Sequence, residues 1–92
     1  MYKVAGKELK LLRECASFTL SELGKELGVS AQRIYSIEKS ESVHWGQVER
    51  YCVGLGLKYV IIADTMMQLT QSEKENTKKM MKIISRAKIN KE

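Results

Sequence analysis

Gln32, Arg33 and Ser36 lie within the run SAQRIYSIEK, at spacings that keep them off the helical stripe formed by Ile34 and Ile37. Their chemistry is that of edge recognition. A carboxamide carries a donor and an acceptor side by side and matches the edge of adenine. A guanidinium fork matches guanine or a phosphate, and a hydroxyl can bond either kind of base. Ala31, just ahead of them, can touch only a thymine methyl group. Tyr35 can reach a phosphate or pack on a sugar. Thr19, Ser21 and Ser30 stand at expected helix N-termini, where backbone N–H groups favour phosphate. Lys39, Ser42 and His44 follow the run and are placed to hold a sugar-phosphate backbone, a contact that positions a protein without reading sequence.

Other chemistry is thinly supplied. There is no glycine-rich phosphate loop and no nucleophile with a placed base. The single histidine, His44, and two distant cysteines, Cys15 and Cys52, leave a His/Cys zinc site short of ligands. The chain therefore reads as a binding protein, not an enzyme, with no metal and no cofactor. Both cysteines fall at apolar positions and read as reduced core thiols.

The elements that must position these groups follow from spacing. Ala5, Leu9, Leu12 and Ala16 predict a first helix over residues 4–16. Thr19 with Glu22 forms a capping-box pattern ahead of a helix over 20–27, with Leu20, Leu23 and Leu27 inward and Gly28 at its exit. Ser30 caps a helix over 31–39. The polar stretch 40–43 reads as a loop. A fourth helix over 44–55 turns Trp45, Val48, Cys52 and Leu55 inward, with Tyr51 beside them.

Two short helices joined by a tight turn need a small residue at the crossing and a glycine in the turn. Gly24 and Gly28 supply them, and Leu23, Leu27, Val29, Ile34 and Ile37 supply the apolar contacts. Such a pair leaves the start of its second helix free to enter a major groove, although the same pattern also occurs as a plain packing unit and in protein-binding domains. In the run LSELGKELGVSAQRIYSIEKSES, residues 9–57 resemble the Cro/phage-repressor (XRE-type) helix-turn-helix family. The resemblance implies a repressor-like, sequence-specific DNA-binding regulator. It also implies an ion pair between Arg13 and Glu38, as a brace between helices. Two departures stand out. Leu20 occupies a place where the family often has a phosphate-contacting glutamine. The recognition helix begins Ser-Ala-Gln-Arg in place of two glutamines, which moves base reading to Gln32, Arg33 and Ser36.

Residues 57–63 change character. They are short, β-branched and aromatic, bounded by Gly56 and Asp64, and predict a strand with Leu57, Tyr59 and Ile61 on one face and Lys58, Val60 and Ile62 on the other. A lone strand needs a partner. Residues 2–4 could supply one, the strand could tuck against its own helices, or a second copy could pair antiparallel with it. The last arrangement would make a C2 homodimer with Leu57, Tyr59, Val60, Ile61 and Ile62 at its interface, reading half-sites of a palindromic operator. A repressor-like domain followed by GLGLKYVIIAD also resembles the HipB-like antitoxins, which implies autoregulation and a toxin protein as a further partner.

Residues 65–71 read as a polar linker, and Ser72 with Glu75 as the cap of a fifth helix over 73–89. Met80, Ile84 and Ala87 line its narrow apolar face, widened by Ile83. Lys78, Lys82 and Arg86 make a basic stripe. That helix could meet phosphates, dock on a partner or the other subunit, or stay solvated. The expected architecture is mainly α: residues 1–64 as a four- to five-helix domain including the dimerising strand 57–63, and 65–92 as linker and basic C-terminal helix.

The chain of 92 residues carries a net charge of +5, and residues 65–92 hold seven basic and three acidic side chains. A basic balance suits a polyanionic partner such as double-stranded DNA. No apolar run approaches the roughly 18 residues of a membrane span, and the start MYKVAGKELK lacks a signal-peptide h-region, so a cytoplasmic protein without membrane contact is expected. The functional readings are a dimeric repressor, an antitoxin that binds a toxin and autoregulates its operon, or a nucleic-acid adaptor with little sequence preference.

Overall fold

Leu9 and Leu12 pack at the centre of a helical core whose first element, α1 (Gly6–Cys15), opens where Glu8 accepts a 2.7 Å hydrogen bond from the Ala5 backbone N–H. The computed structural model describes residues 4–69 and 76–89. Among the described residues five further helices follow: α2 (Leu20–Leu27), α3 (Ala31–Lys39), α4 (Trp45–Leu55), α5 (Tyr59–Gln68) and α6 (Thr77–Ala87). The spans of α2 and α3 agree with those expected, because both are bounded by local chemistry. The Thr19 hydroxyl accepts from Glu22 N–H while Glu22 accepts from Thr19 N–H. Gly28 ends α2 in the left-handed region at φ 71°.

Gly6 joins α1 to α3. A methyl group at this position would stand 2.6–2.7 Å from the backbone carbonyls of Ile37, Glu38 and Ser40, and its N–H donates to Ser40 O at 2.9 Å. The first turn of α1 thus sits directly on the last carbonyls of α3, an approach that only glycine permits. Ahead of it, Val4 forms an antiparallel bridge with Val43, whose N–H donates to Val4 O at 2.7 Å. Of residues 2–4, considered above as partners for a strand at 57–63, Val4 thus meets the α3–α4 loop, and Tyr2 and Lys3 lie outside the described residues.

The core is continuous. Leu9, Leu12, Leu23, Ile34, Val48, Tyr51, Cys52, Ile62, Met66 and Met80 are fully buried in one cluster. Trp45, expected on the inner stripe of α4, is only half-buried at the edge of this cluster, and Tyr51 takes the central place. Gly54 lies within α4 against Leu23 and Leu27 of α2.

The predicted strand at 57–63 is not formed: Tyr59–Gln68 is a helix, which also absorbs residues 65–68 of the expected linker. The apolar residues of this segment satisfy a helical period as well as an alternating one. Ile62 and Met66, four residues apart, are its buried residues, and they pack in the common core with α4 and α6. A helix bonds its own backbone groups, whereas a lone strand would leave them open. With the strand goes the ribbon between two copies. Of the five residues assigned to that interface, Leu57 and Ile62 are buried inside the chain, Tyr59 and Ile61 are half-buried against its core, and only Val60 is exposed. Leu57 does make an antiparallel bridge, but to Lys88 of the same chain.

α6 packs Met80, Ile83, Ile84 and Ala87 against α1 and α5. The apolar face read from the sequence is therefore covered by the chain's own helices. Lys58 N–H donates to Ala87 O at 2.7 Å and Ile89 N–H to Gly56 O at 3.1 Å, which ties the end of α6 to the α4–α5 corner. Lys78, Lys82 and Arg86 remain exposed. The helix starts at Thr77 with Asn76 as its cap, Oδ1 accepting from Lys79 N–H, and the expected Ser72/Glu75 cap lies outside the described residues.

Candidate nucleic-acid interface

The projecting surface is built from the α2–α3 crossing outward. Gly24 has no side chain to obstruct it: a Cβ would stand 2.6 Å from Val29 O, and the N–H of the same Val29 donates to Gly24 O at 2.9 Å. α2 and α3 therefore approach through their backbones. Ser30 then starts α3, its hydroxyl accepting from Arg33 N–H at 3.1 Å. Ile34 and Ile37 turn inward, so Gln32, Arg33 and Ser36 are exposed on the outer face of α3, with Ala31 half-buried at its first position.

The flanks carry the other polar groups. Thr19 and Ser21 are exposed at the start of α2. Tyr35 is 45% exposed, with the Lys39 ammonium 5.1 Å from its ring centroid, a cation–π contact that holds the two side chains together. Ser42 and His44 are exposed beyond α3, and the His44 ring makes no capping bond to α4. A shallow hollow of about 300 Å³ brings Arg33 and Ser36 together with Ser42 and His44. It also includes Ser40 and Gln47, which the sequence reading passed over. Gln47 lies three residues after His44 in the first turn of α4, so the helical period that placed His44 could have found it.

The pose of α3 is set by a buried polar cluster. Arg13 Nε donates to Glu38 Oε2 at 2.7 Å and Nη2 to Oε1 at 3.0 Å, a two-pronged pair with side chains 7% and 4% exposed. Tyr51 donates to Glu38 Oε2 at 3.1 Å, and Arg13 Nη1 to Phe18 O at 2.7 Å. One carboxylate near the end of α3 is thereby joined to α1 and α4, and the same guanidinium holds the turn before α2, where Ser17 takes a left-handed φ of 65°. The hydrogen bond to Glu38 raises the Arg13 pKa against its desolvation. Burial, then the Glu38 charge, pushes the Tyr51 hydroxyl up, so it stays a donor. Burial pushes the Cys52 thiol up to about 12 and raises Cys15 as well, so both remain thiols.

Among the described residues no three His, Cys, Asp or Glu side chains gather as a metal site, and no helix is long and apolar enough to cross a membrane. No curated protein and no solved structure matches the chain. The helix-turn-helix domain family does, over residues 5–59, which takes in α1 to α4 and the whole of the α2–α3 surface just described. With that match spanning more than half of its length, and with the crossing, caps and exposed helix face that a DNA-binding helix-turn-helix requires, this chain belongs to the helix-turn-helix domain family.

Proposed function

We propose that this protein is a sequence-specific transcription regulator, a repressor, that reads duplex DNA with the outer face of α3. The observation that carries the reading is that Gln32, Arg33 and Ser36 project together from a helix whose far end is locked by Arg13, Glu38 and Tyr51. A base-reading helix must be held rigidly, because hydrogen bonds to base edges tolerate little misplacement. Gln32 pairs with adenine, Arg33 with guanine, and Ser36 with either kind of base; Ala31 contacts a thymine methyl group. Thr19, Ser21, Ser30, Tyr35, Lys39, Ser42 and His44 hold phosphates on both sides of the groove. No step of this role is catalytic.

Binding of a palindromic operator calls for two copies, and the ribbon expected at 57–63 cannot supply them. Val60 and Met67 can: they lie seven residues apart on one face of α5 and are 77% and 62% exposed. The same apolar residues are the observation that favours a second reading, in which a protein partner such as a toxin covers them. Selection of bound duplexes from a random pool, at physiological salt, tests both. An enriched palindrome supports the dimeric repressor. Salt-sensitive binding to all sequences makes the chain a nonspecific adaptor, and no binding leaves the protein partner as its role.

A further inference from the structure

Lys78, Lys82 and Arg86 take no part in the function proposed above, and they lie outside the helix-turn-helix match at residues 5–59. They recur every four residues along α6, so they form one stripe with a rise of about 6 Å from each to the next. All three are exposed, on the side of α6 away from the buried Met80, Ile83, Ile84 and Ala87. Lys79, exposed beside them, is engaged within the chain and is not counted. Among the described residues none of the three stripe cations has an ion-pair partner. The stretch 76–89 contains no Asp or Glu. Nor do the helices packed against α6 offset it: α1 carries Lys7, Lys10 and Arg13 against Glu8 and Glu14, and α5 adds only Asp64, so their charges balance. The arrangement weakens α6 within the chain. Like charges four residues apart on a helix repel. Lys78 also stands in a first turn that holds no acidic side chain, where the helix dipole disfavours a cation. A polyanion laid along the outer face relieves both effects.

From this exposed and unpaired stripe we infer that α6 carries a second DNA-binding surface, in which Lys78, Lys82 and Arg86 contact the phosphates of duplex DNA. The inference rests on the DNA-binding reading above, which makes duplex DNA the polyanion this chain meets. Arg86 can hold a phosphate with two donors at once, while the two lysines act as point charges. Contacts of this kind add affinity and salt dependence but no sequence information. The stripe therefore complements α3, which reads bases, without competing with it for specificity.

The test is a titration of the full chain with its selected duplex and a scrambled duplex between about 50 and 200 mM salt. The variants are Lys78→Ala with Lys82→Ala, and Lys78→Arg with Lys82→Arg. A third combines the alanine pair with Glu26→Gln and Glu49→Gln, two exposed carboxylates whose loss returns the net charge to that of wild type. Loss of two phosphate contacts flattens the slope of log affinity against log salt by about 1.8, which shrinks the affinity ratio between the two salt concentrations by roughly twelve-fold. The alanine pair should show this on both duplexes, with or without the restored net charge, and the arginine pair should keep the wild-type slope. If α6 holds a separate duplex, the signature moves: wild-type chain saturated with its selected duplex captures labelled scrambled duplex, and the alanine pair does not. A wild-type slope together with unchanged capture in the alanine pair overturns the stripe and leaves base reading by α3 standing. A slope restored by Glu26→Gln and Glu49→Gln also overturns it, by reducing the effect to net charge. Failure of the wild-type chain to bind either duplex overturns the DNA-binding reading, and the stripe with it.

Discussion

Arg13→Ala is the perturbation whose consequence follows most directly from the geometry. It removes two hydrogen bonds to the Glu38 carboxylate and one to Phe18 O, and leaves that carboxylate, 4% exposed in the intact protein, with the hydrogen bond from the Tyr51 hydroxyl. Breaking a buried ion pair from one side costs about 3–5 kcal/mol, because the surviving charge stays desolvated. A domain of this length holds roughly 5–14 kcal/mol in all, so the loss is about a fifth of the total or more. At roughly 4–8 °C per kcal/mol for a small domain, a loss of 3 kcal/mol lowers Tm by about 12–24 °C. Thermal unfolding followed by circular dichroism reads this, and urea titration gives the free energy. The same reasoning makes a second, opposite claim. Replacing the whole cluster, as Arg13→Met with Glu38→Leu and Tyr51→Phe, removes its three buried polar side chains together and should restore most of the stability. The Tyr51 change is required, since Glu38→Leu alone strands its hydroxyl. An Arg13→Ala protein within 1 kcal/mol of wild type would refute the brace, and so would a triple variant less stable than the single one.

Four further outcomes are expected. Gln32→Ala and Arg33→Ala should each cost about 1–3 kcal/mol on the selected duplex and relax preference at one base position; unchanged selectivity in both would remove α3 as the reading head. Gly6→Ala should destabilise the fold by about 1–3 kcal/mol, because its methyl group meets three backbone carbonyls that cannot rotate away, and denaturant unfolding would show it. The Thr19 backbone N–H, and then its hydroxyl, hold the Glu22 carboxyl below its ordinary value. The cap is therefore fully present above the unfolded carboxylate value and weakens as pH falls through the lowered folded one, which amide exchange across α2 should report; an exchange pattern indifferent to acid would contradict it. Finally, the buried Cys52 thiol, pushed up to about 12, should resist alkylation at pH 8 in the folded protein while half-buried Cys15 reacts first, as peptide mass mapping would reveal.

The amino-acid sequence alone determined the part of this protein governed by local rules. The α2 and α3 spans, their Thr19 and Ser30 caps, the Gly28 exit and the exposed set Gln32, Arg33 and Ser36 all follow from residue types within one or two helical turns. The Arg13–Glu38 pair was legible through family resemblance and not from spacing, since 25 residues separate the two. Other features depend on which surfaces meet. Residues 57–63 fit both an alternating and a helical period, and burial of Ile62 and Met66 in the core shared with α4 and α6 decided for the helix. Tyr51 became central and Trp45 marginal because the phenol finds Glu38 inside the core, a partner set by how α3 and α4 cross. Gly6 reads as an ordinary helix start until α3 ends against it. α6 shows an amphipathic face in sequence, but only the packed structure covers that face with α1 and α5. Hydrogen bonds within a turn are encoded by neighbours, whereas burial depends on the complementary shape of residues far apart in the chain, and that exists only once the helices have come together.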